Sequence, residues 1–323
     1  MDITSTEVSR LDRQAEIALA AAANAARGFI EQAKAPNTLR AYRADWRDFT
    51  GWCEARGLVP LPATPETVTL YLSDLAGHCK VATLTRRLSA ISQAHQMAGH
   101  EAPTSAAAVR TVMAGIRRTK GTAAAAKAAT LTGDIRAMVA ALPDGLLGIR
   151  DRALLLVGFA GGFRRSELVS LDQCDLEFTK DGLTVALRRS KTDQECQGRK
   201  VGIPYGSNPE TCPIRALQAW LEAAAITGGP VFRGVNRHGR VQGRLSGYAV
   251  ALVVKRYAAA GGLDPARYAG HSLRAGLATA AAIGGASERS IMNQTGHKSA
   301  AMVRRYIRDG NLFRENAAAK TGL

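Results

Sequence analysis

Residues 268–310 read YAGHSLRAGLATAAAIGGASERSIMNQTGHKSAAMVRRYIRDG, placing His271 three residues before Arg274 and Gly296-His297 nine residues before Tyr306. A histidine three residues ahead of an arginine on a helix shares its face, so His271 and Arg274 can address one group together. Upstream, the chain carries Arg164 in GFRRSEL, followed by Glu167, and Lys191 in RRSKTD. The second half thus offers, in order, Arg164, Lys191, His271, Arg274, His297 and Tyr306. Taken singly, each has a plain reading: a buried structural histidine for His271, a surface lysine for Lys191, an ordinary exposed tyrosine for Tyr306. The sequence contains no P-loop, no His-Glu-x-x-His, no Gly-x-Ser-x-Gly and no dinucleotide fingerprint, which removes most of the case for nucleotide hydrolysis and zinc-protease chemistry.

Around that set, 43 Lys and Arg stand against 27 Asp and Glu, a formal net charge of +16. Such an excess points to a polyanionic partner, because lysines and arginines that neutralise phosphates release condensed counterions. RNA or a membrane surface would satisfy the same argument, and a merely soluble basic protein is the plain alternative. At 323 residues with 46% hydrophobic content, the chain is long enough for two domains and can bury a core. Its five cysteines are odd in number and show no Cys-x-x-Cys spacing, so neither a disulfide framework nor a zinc ribbon is expected. No signal peptide is recognisable, and the charge-free run from Ala153 to Phe163 is too short to span a bilayer, so a cytoplasmic protein is expected.

Along the chain, Val8 to Ile30 reads as an Ala-rich helix, and residues 1–34 form an N-terminal helical extension. Pro36 and Asn37 break the pattern, and Thr38 can cap a second helix through Ala41, Trp46, Phe49 and Trp52, whose spacing is that of a core stripe. Arg40, Arg43 and Arg47 fall on the opposite face. Further helices are predicted at Pro65 to Ala76, at Val81 to Gly99 with Lys80, Thr83, Arg86 and Arg87 near its start, and at Ala106 to Ile116, followed by Arg117, Arg118 and Lys120. Each basic cluster alone is a solvated face; three on consecutive helices suggest a DNA surface. These helices make up a domain over residues 35–120, and GTAAAAKAA within 121–130 is the predicted linker. In residues 131–323 a helix to Ala141 and a buried helix from Gly148 to Ala160 are expected, then strands at Leu183 to Arg188 and Lys200 to Pro204. The fold class is therefore mainly α, with a helical N-terminal domain and an α-rich second domain holding a small antiparallel β-sheet.

The ordered set resembles the active site of the tyrosine recombinase (phage integrase) family, which includes the Cre and Xer recombinases. GFRRSEL is similar to the first arginine box of that family, SKT between two strands to its hairpin lysine, GHSLR to its His-x-x-Arg box, and Gly296-His297 before Tyr306 to the spacing ahead of its nucleophile. TLRAYRADWRDFTGWC looks like the helical core-binding domain, a weaker signal. The resemblance implies that Arg164, Lys191, His271, Arg274, His297 and Tyr306 are catalytic, with Glu167 in support. It further implies no metal or cofactor, double-stranded DNA with an inverted-repeat target site as partner, and a homo-tetramer acting on two DNA sites through a Holliday junction. RLSGYAVALVVKRY matches the family's groove-reading helix best, making Arg244, Ser246 and Tyr248 DNA-contact candidates, with Arg86 and Arg87 for the other domain. Tyr248 stands where one well-known relative has an arginine, which leaves the sequence preference open.

The physical chemistry of the residues agrees. Displacement at a phosphodiester builds negative charge on the nonbridging oxygens, which calls for preorganised cations, and arginine offers a planar fork of donors that stays charged. A tyrosine hydroxyl with an ordinary pKa of about 10 needs a base or a positive charge beside it. His271 is the candidate base, His297 a donor to the phosphate and Lys191 the acid for the departing 5′ oxygen. Rival readings are a type IB topoisomerase, a telomere resolvase and a non-catalytic DNA-binding relative; six filled positions argue against the last.

Overall fold

The computed structural model describes residues 21–22, 34–122, 127–188, 198–310, 318 and 321. The expected helix at Val8 to Ile30 lies outside them apart from Ala21 and Ala22, which are helical, and so do Lys191 and most of the tail after Tyr306. The chain divides into two units, Met1–Ala124 and Ala125–Leu323.

Among the described residues from Lys34 onward, the first unit packs the α-helices α1 (Pro36–Glu54), α2 (Pro65–Leu75), α3 (Val81–Met97) and α4 (Ala107–Lys120). α1 starts two residues ahead of the expected Thr38 cap, with Ala35 at the N-cap. Proline at the first helical position lacks only an N–H that would be orphaned anyway, so Pro36 opens the helix instead of breaking it. α2 has a side-chain cap, Thr64 accepting from the Thr67 amide at 3.2 Å. Phe49 is fully buried and meets Tyr71 edge-on with centroids 5.0 Å apart, while Trp46 and Trp52 flank it half-buried, as the aromatic stripe predicts. The three basic residues of α4, Arg117, Arg118 and Lys120, form its last turn, where cations complement the helix dipole, so α4 runs four residues past the expected end at Ile116.

The second unit begins with α5 (Thr132–Ala140), α6 (Leu146–Ala160) and the short α7 (Arg165–Ser170). A three-stranded antiparallel sheet follows, β1 (Leu176–Phe178), β2 (Gly182–Leu187) and β3 (Arg199–Pro204), in the order β1-β2-β3. Leu183, Val185, Leu187, Val201 and Ile203 are its buried positions, and the register pairs Leu183 with Ile203 and Val185 with Val201. After α8 (Pro213–Ala223), which buries Trp220, comes a second hairpin, β4 (Arg233–Val235) and β5 (Val241–Arg244). That hairpin went unpredicted because its strands carry glycines and arginines and lack the apolar alternation by which a half-buried strand is recognised.

The remaining helices are α9 (Gly247–Ala260), α10 (Ser272–Ile283), α11 (Glu288–Thr295) and α12 (Ala300–Gly310). α10 is built of small residues because other chain segments press against it. A Cβ on Gly276 would stand 2.0 Å from the Thr130 carbonyl oxygen, so only glycine lets residues 127–130 pass. Those residues are pinned by the Ala128 amide on the Arg267 carbonyl at 2.7 Å and the Thr130 amide on the Ser272 carbonyl at 3.1 Å.

Candidate active site

Four local structures converge in the second unit. Arg164 occupies the N-cap of α7, and its amide donates to Glu167 Oε2 at 2.9 Å while its guanidinium pairs with the same carboxylate. Glu167 is 2% exposed, so the pair is largely withdrawn from water. Arg274, in the first turn of α10, is 1% exposed and donates from Nη1 to the carbonyls of Gly162, at 2.7 Å, and Thr295. Its Nη2 is buried without a hydrogen-bond partner. An orphaned buried donor costs on the order of 1–3 kcal/mol, more when charged, so this guanidinium edge is a natural seat for an anion.

His271 precedes α10 as its N-cap and is not within the helix as the sequence suggests. Its backbone is nevertheless helical (φ −84°, ψ −16°), which keeps it one turn from Arg274. His271 Nε2 lies 3.0 Å from the Tyr306 hydroxyl, carried on α12. Desolvation, then the charges of Arg274 and Arg164, holds the His271 imidazole below its ordinary pKa, so it is neutral at pH 7 and able to accept the phenolic proton.

His297 follows Gly296, which ends α11 in the left-handed conformation (φ 65°) that glycine adopts without penalty. Its Nδ1 is 2.6 Å from Thr295 Oγ1, and that hydroxyl donates to the Ile291 carbonyl at 2.6 Å. By this hydrogen-bond network Nδ1 carries the proton in the neutral ring, leaving the Nε2 lone pair outward. Desolvation and the charges of Arg274, Arg164, His271 and Arg199 push the His297 pKa down to about 4. Its ring centroid is 5.9 Å from that of Tyr306.

Arg199, the first residue of β3, joins the same cluster and was not foreseen. Its Nη1 donates to the Gln294 carbonyl at 3.0 Å, and its Nη2 to the Thr295 carbonyl at 3.3 Å while standing 3.7 Å from Glu167 Oε2. Arg199 is in phase with the buried Val201 and Ile203, and a cation on the inward face of a strand was the legible sign. Among the described residues, no group of three or more His, Cys, Asp or Glu is placed to hold a metal ion. None of their helices is long and apolar enough to cross a membrane.

Two other tyrosines of this unit are committed elsewhere: the Tyr257 hydroxyl donates to buried Asp151 at 2.9 Å and the Tyr268 hydroxyl to Asp134 at 3.3 Å. Of the residues expected near DNA, Arg40, Arg43, Arg47, Lys80, Arg117 and Arg118 are exposed on the first unit, and Thr83 is half-buried. Arg86 is bound to Asp45 through contacts of 2.7 and 2.9 Å, and Arg87 to Asp48 and to the Tyr71 hydroxyl. Both arginines thus tie α3 to neighbouring helices, and only Arg86 keeps substantial exposure, with 48% of its side chain open against 14% for Arg87. Arg244 lies on β5, not on α9, and is held by the Val169 carbonyl at 2.8 Å and Asp172 at 2.6 Å. Ser246 caps α9 by accepting from the Ala249 amide at 3.2 Å, whereas Tyr248 is 69% exposed.

The chain matches the phage integrase family over residues 130–311 and the phage integrase N-terminal SAM-like domain over residues 29–102. It is 44% identical over 293 residues to the integrase/recombinase xerD homolog of Selenomonas ruminantium, covering 89% of this chain and 86% of that one. The fold is similar to that of a lambda integrase (75-356) dimer bound to a COC′ core site, with a TM-score of 0.58 and 21% identity across 93% of this chain and 95% of that one. It is also similar to the Tn1549 transposon integrase in complex with transposon right end DNA, with a TM-score of 0.61 and 14% identity across 88% and 95%. An orphaned arginine edge beside a histidine-tyrosine pair, a family match across residues 130–311 and a relative alike over most of both chains agree, and the chain belongs to the phage integrase family, the tyrosine recombinases.

Proposed function

We propose that the protein is a site-specific DNA recombinase that cleaves and rejoins double-stranded DNA through a 3′-phosphotyrosyl intermediate. The observation that carries this reading is the Tyr306 hydroxyl 3.0 Å from His271 Nε2, beside the unpartnered Nη2 of Arg274. Tyr306 Oη attacks the phosphorus, its proton passing to His271 Nε2, and the new O–P bond replaces the bond to the 5′ oxygen. Lys191 gives that oxygen its proton; this role rests on the family resemblance. Arg164 and Arg274 hold the nonbridging oxygens, where preorganised charge stabilises the transition state most. His297, neutral with its Nε2 lone pair outward in the free site, takes a proton on Nε2 as the phosphate anion raises its pKa and then donates to the same oxygens, and Glu167 keeps Arg164 in place. A 5′ hydroxyl from a second duplex then attacks the phosphotyrosine and reverses the step, so the bond energy is retained.

The exposed arginines of α1 and α4 and Tyr248 at the start of α9 are the proposed DNA contacts. The working assembly is a homo-tetramer on two inverted-repeat sites, passing through a Holliday junction in the cytoplasm, at the nucleoid. The test uses a nicked suicide duplex made from DNA flanking the gene. The wild-type protein is expected to form a covalent adduct in EDTA and without ATP, and Tyr306→Phe to bind the same duplex and form none. Adduct formation by Tyr306→Phe would refute the assignment.

A further inference from the structure

The C-terminal end of α11 presents carbonyls that no helical amide can reach and that carry the negative end of the helix dipole. Arg199 covers them: besides Gln294 and Thr295, its Nη1 lies 3.5 Å from the Asn293 carbonyl. From the same turn, the Gln294 side chain donates back to the Gly202 carbonyl on β3 at 3.0 Å and to the Ala160 carbonyl of α6 at 2.9 Å. The end of α11 is therefore tied to β3 in both directions. The chain then turns through Gly296, where a Cβ would come within 2.7 Å of Arg199 Nε, so the guanidinium is packed directly beneath the turn that delivers His297. The Thr295 carbonyl is shared between Arg199 and Arg274, and the Glu167 carboxylate between Arg199 and Arg164. One largely buried side chain thus touches the supports of Arg164, Arg274 and His297 together. Its Nη1 and Nη2 are matched by fixed acceptors while its Nε is buried without a hydrogen-bond partner, a placement that an ordinary surface arginine does not take.

We propose that Arg199 is a positioning residue for strand transfer: it fixes the turn between α11 and α12 so that His297 and Arg274 face the phosphate, and it locks the outgoing strand of the β2–β3 hairpin to the segment leading to Tyr306. This rests on the recombinase reading. Lysine keeps the charge but offers one ammonium to three carbonyls and a carboxylate, so it cannot restore the geometry.

The test compares full-length wild type with Arg199→Lys, Arg199→Gln and, as a remote control, Arg240→Gln. Both Arg199 variants are expected to bind the flanking-DNA duplex as wild type does and to form the covalent adduct roughly tenfold to a hundredfold more slowly, the loss that follows a small misplacement of reacting groups. A second readout needs no DNA: the imidazole titration of His297 followed by NMR. His297 is faced by the charged groups Arg274, Arg164, His271 and Arg199, with the Thr295 hydroxyl and the Tyr306 ring beside it. Removing one cation in Arg199→Gln is expected to move that titration upward, while Arg199→Lys and Arg240→Gln leave it low. Wild-type cleavage by Arg199→Lys, or an unmoved His297 titration in Arg199→Gln, overturns the proposal. Should Arg199→Gln fail to fold, the cleavage rate of Arg199→Lys decides alone. Absence of any adduct with the wild-type protein would instead count against the recombinase reading, and the titration would still judge Arg199.

Discussion

Replacing Glu167 with glutamine measures what one carboxylate does inside a cluster of like charges. Glu167 accepts the Arg164 amide at 2.9 Å, pairs with the Arg164 guanidinium, stands 3.7 Å from Arg199 Nη2 and offsets the charge of Arg274. Glutamine keeps the volume and one acceptor oxygen, but its amide nitrogen must then aim a donor at a guanidinium. Removing one partner of a buried ion pair costs about 3–5 kcal/mol, because the charge left behind has no compensation. Arg164 retains 16% exposure of its side chain, which places the expected loss near the lower end, about 3 kcal/mol. For a unit the size of Ala125–Leu323, about 2–4 °C of melting temperature per kcal/mol makes this a fall of roughly 6–12 °C. The variant is then left with more uncompensated positive charge, so inorganic phosphate must bind it more tightly than wild type. At a hundred times its dissociation constant a ligand restores about 2.7 kcal/mol. Calorimetry of both proteins at constant ionic strength, with and without phosphate, reads both effects. An unchanged melting temperature, or equal stabilisation of the two proteins by phosphate, would refute the view that Glu167 is what holds this cluster together.

Arg164→Ala and Arg274→Ala are each expected to slow single-turnover cleavage by about a hundredfold to a thousandfold, the cost of removing one preorganised transition-state donor. Lys191→Ala is expected to regain cleavage on a duplex with a 5′-bridging sulfur, a leaving group that needs no proton, while the arginine variants stay slow; equal rescue of all three would mean that the lysine contributes charge alone. His297 titrates near 4 in the folded protein against an ordinary value of about 6.5, so the unfolded chain binds the extra proton and stability falls as pH drops from about 6.5 toward 4. Thermal melts at pH 7 and pH 5 are expected to differ by about 1–2 kcal/mol more in wild type than in His297→Gln, after allowance for partial exposure.

What sequence made legible and what it hid follow a physical division. Arg164, Glu167, His271, Arg274, His297 and Tyr306 sit on short segments whose local context is contiguous, so each could be matched to a motif of the family that the sequence resembles. Arg199 serves the same cluster, but its partners come from α7 and from the end of α11, far along the chain, and only its phase with Val201 and Ile203 marked it as inward-facing. The helices of the first unit were legible because their apolar spacing is strong, as in Phe49 and its aromatic flanks. Helix ends were less so: Pro36 reads as a breaker or as an opening residue depending on what precedes it. Arg87 shows the limit of charge patterning. A basic residue on a predicted exposed face proved to be committed to Asp48 and Tyr71, a pairing set by helix packing that one strand of sequence cannot display.

The site also explains why so much of its charge is held by backbone rather than by acids. Arg164 and Arg199 share the Glu167 carboxylate, and Arg199 and Arg274 are held besides by the carbonyls of Gly162, Asn293, Gln294 and Thr295. Carbonyl dipoles fix a guanidinium without cancelling its charge, whereas further carboxylates would have neutralised the cluster and repelled a phosphate. The residual strain is visible in Arg274, whose pKa is lowered to about 10 by desolvation and by the charge of Arg164. The charged form of Arg274 is thus held in surroundings that disfavour it. An anion seated against its open Nη2 offsets that penalty, and the offset grows as negative charge accumulates on the phosphate oxygens. Relief already obtained from the bound duplex strengthens binding alone; in the proposed mechanism only the increment gained as charge accumulates favours the transition state.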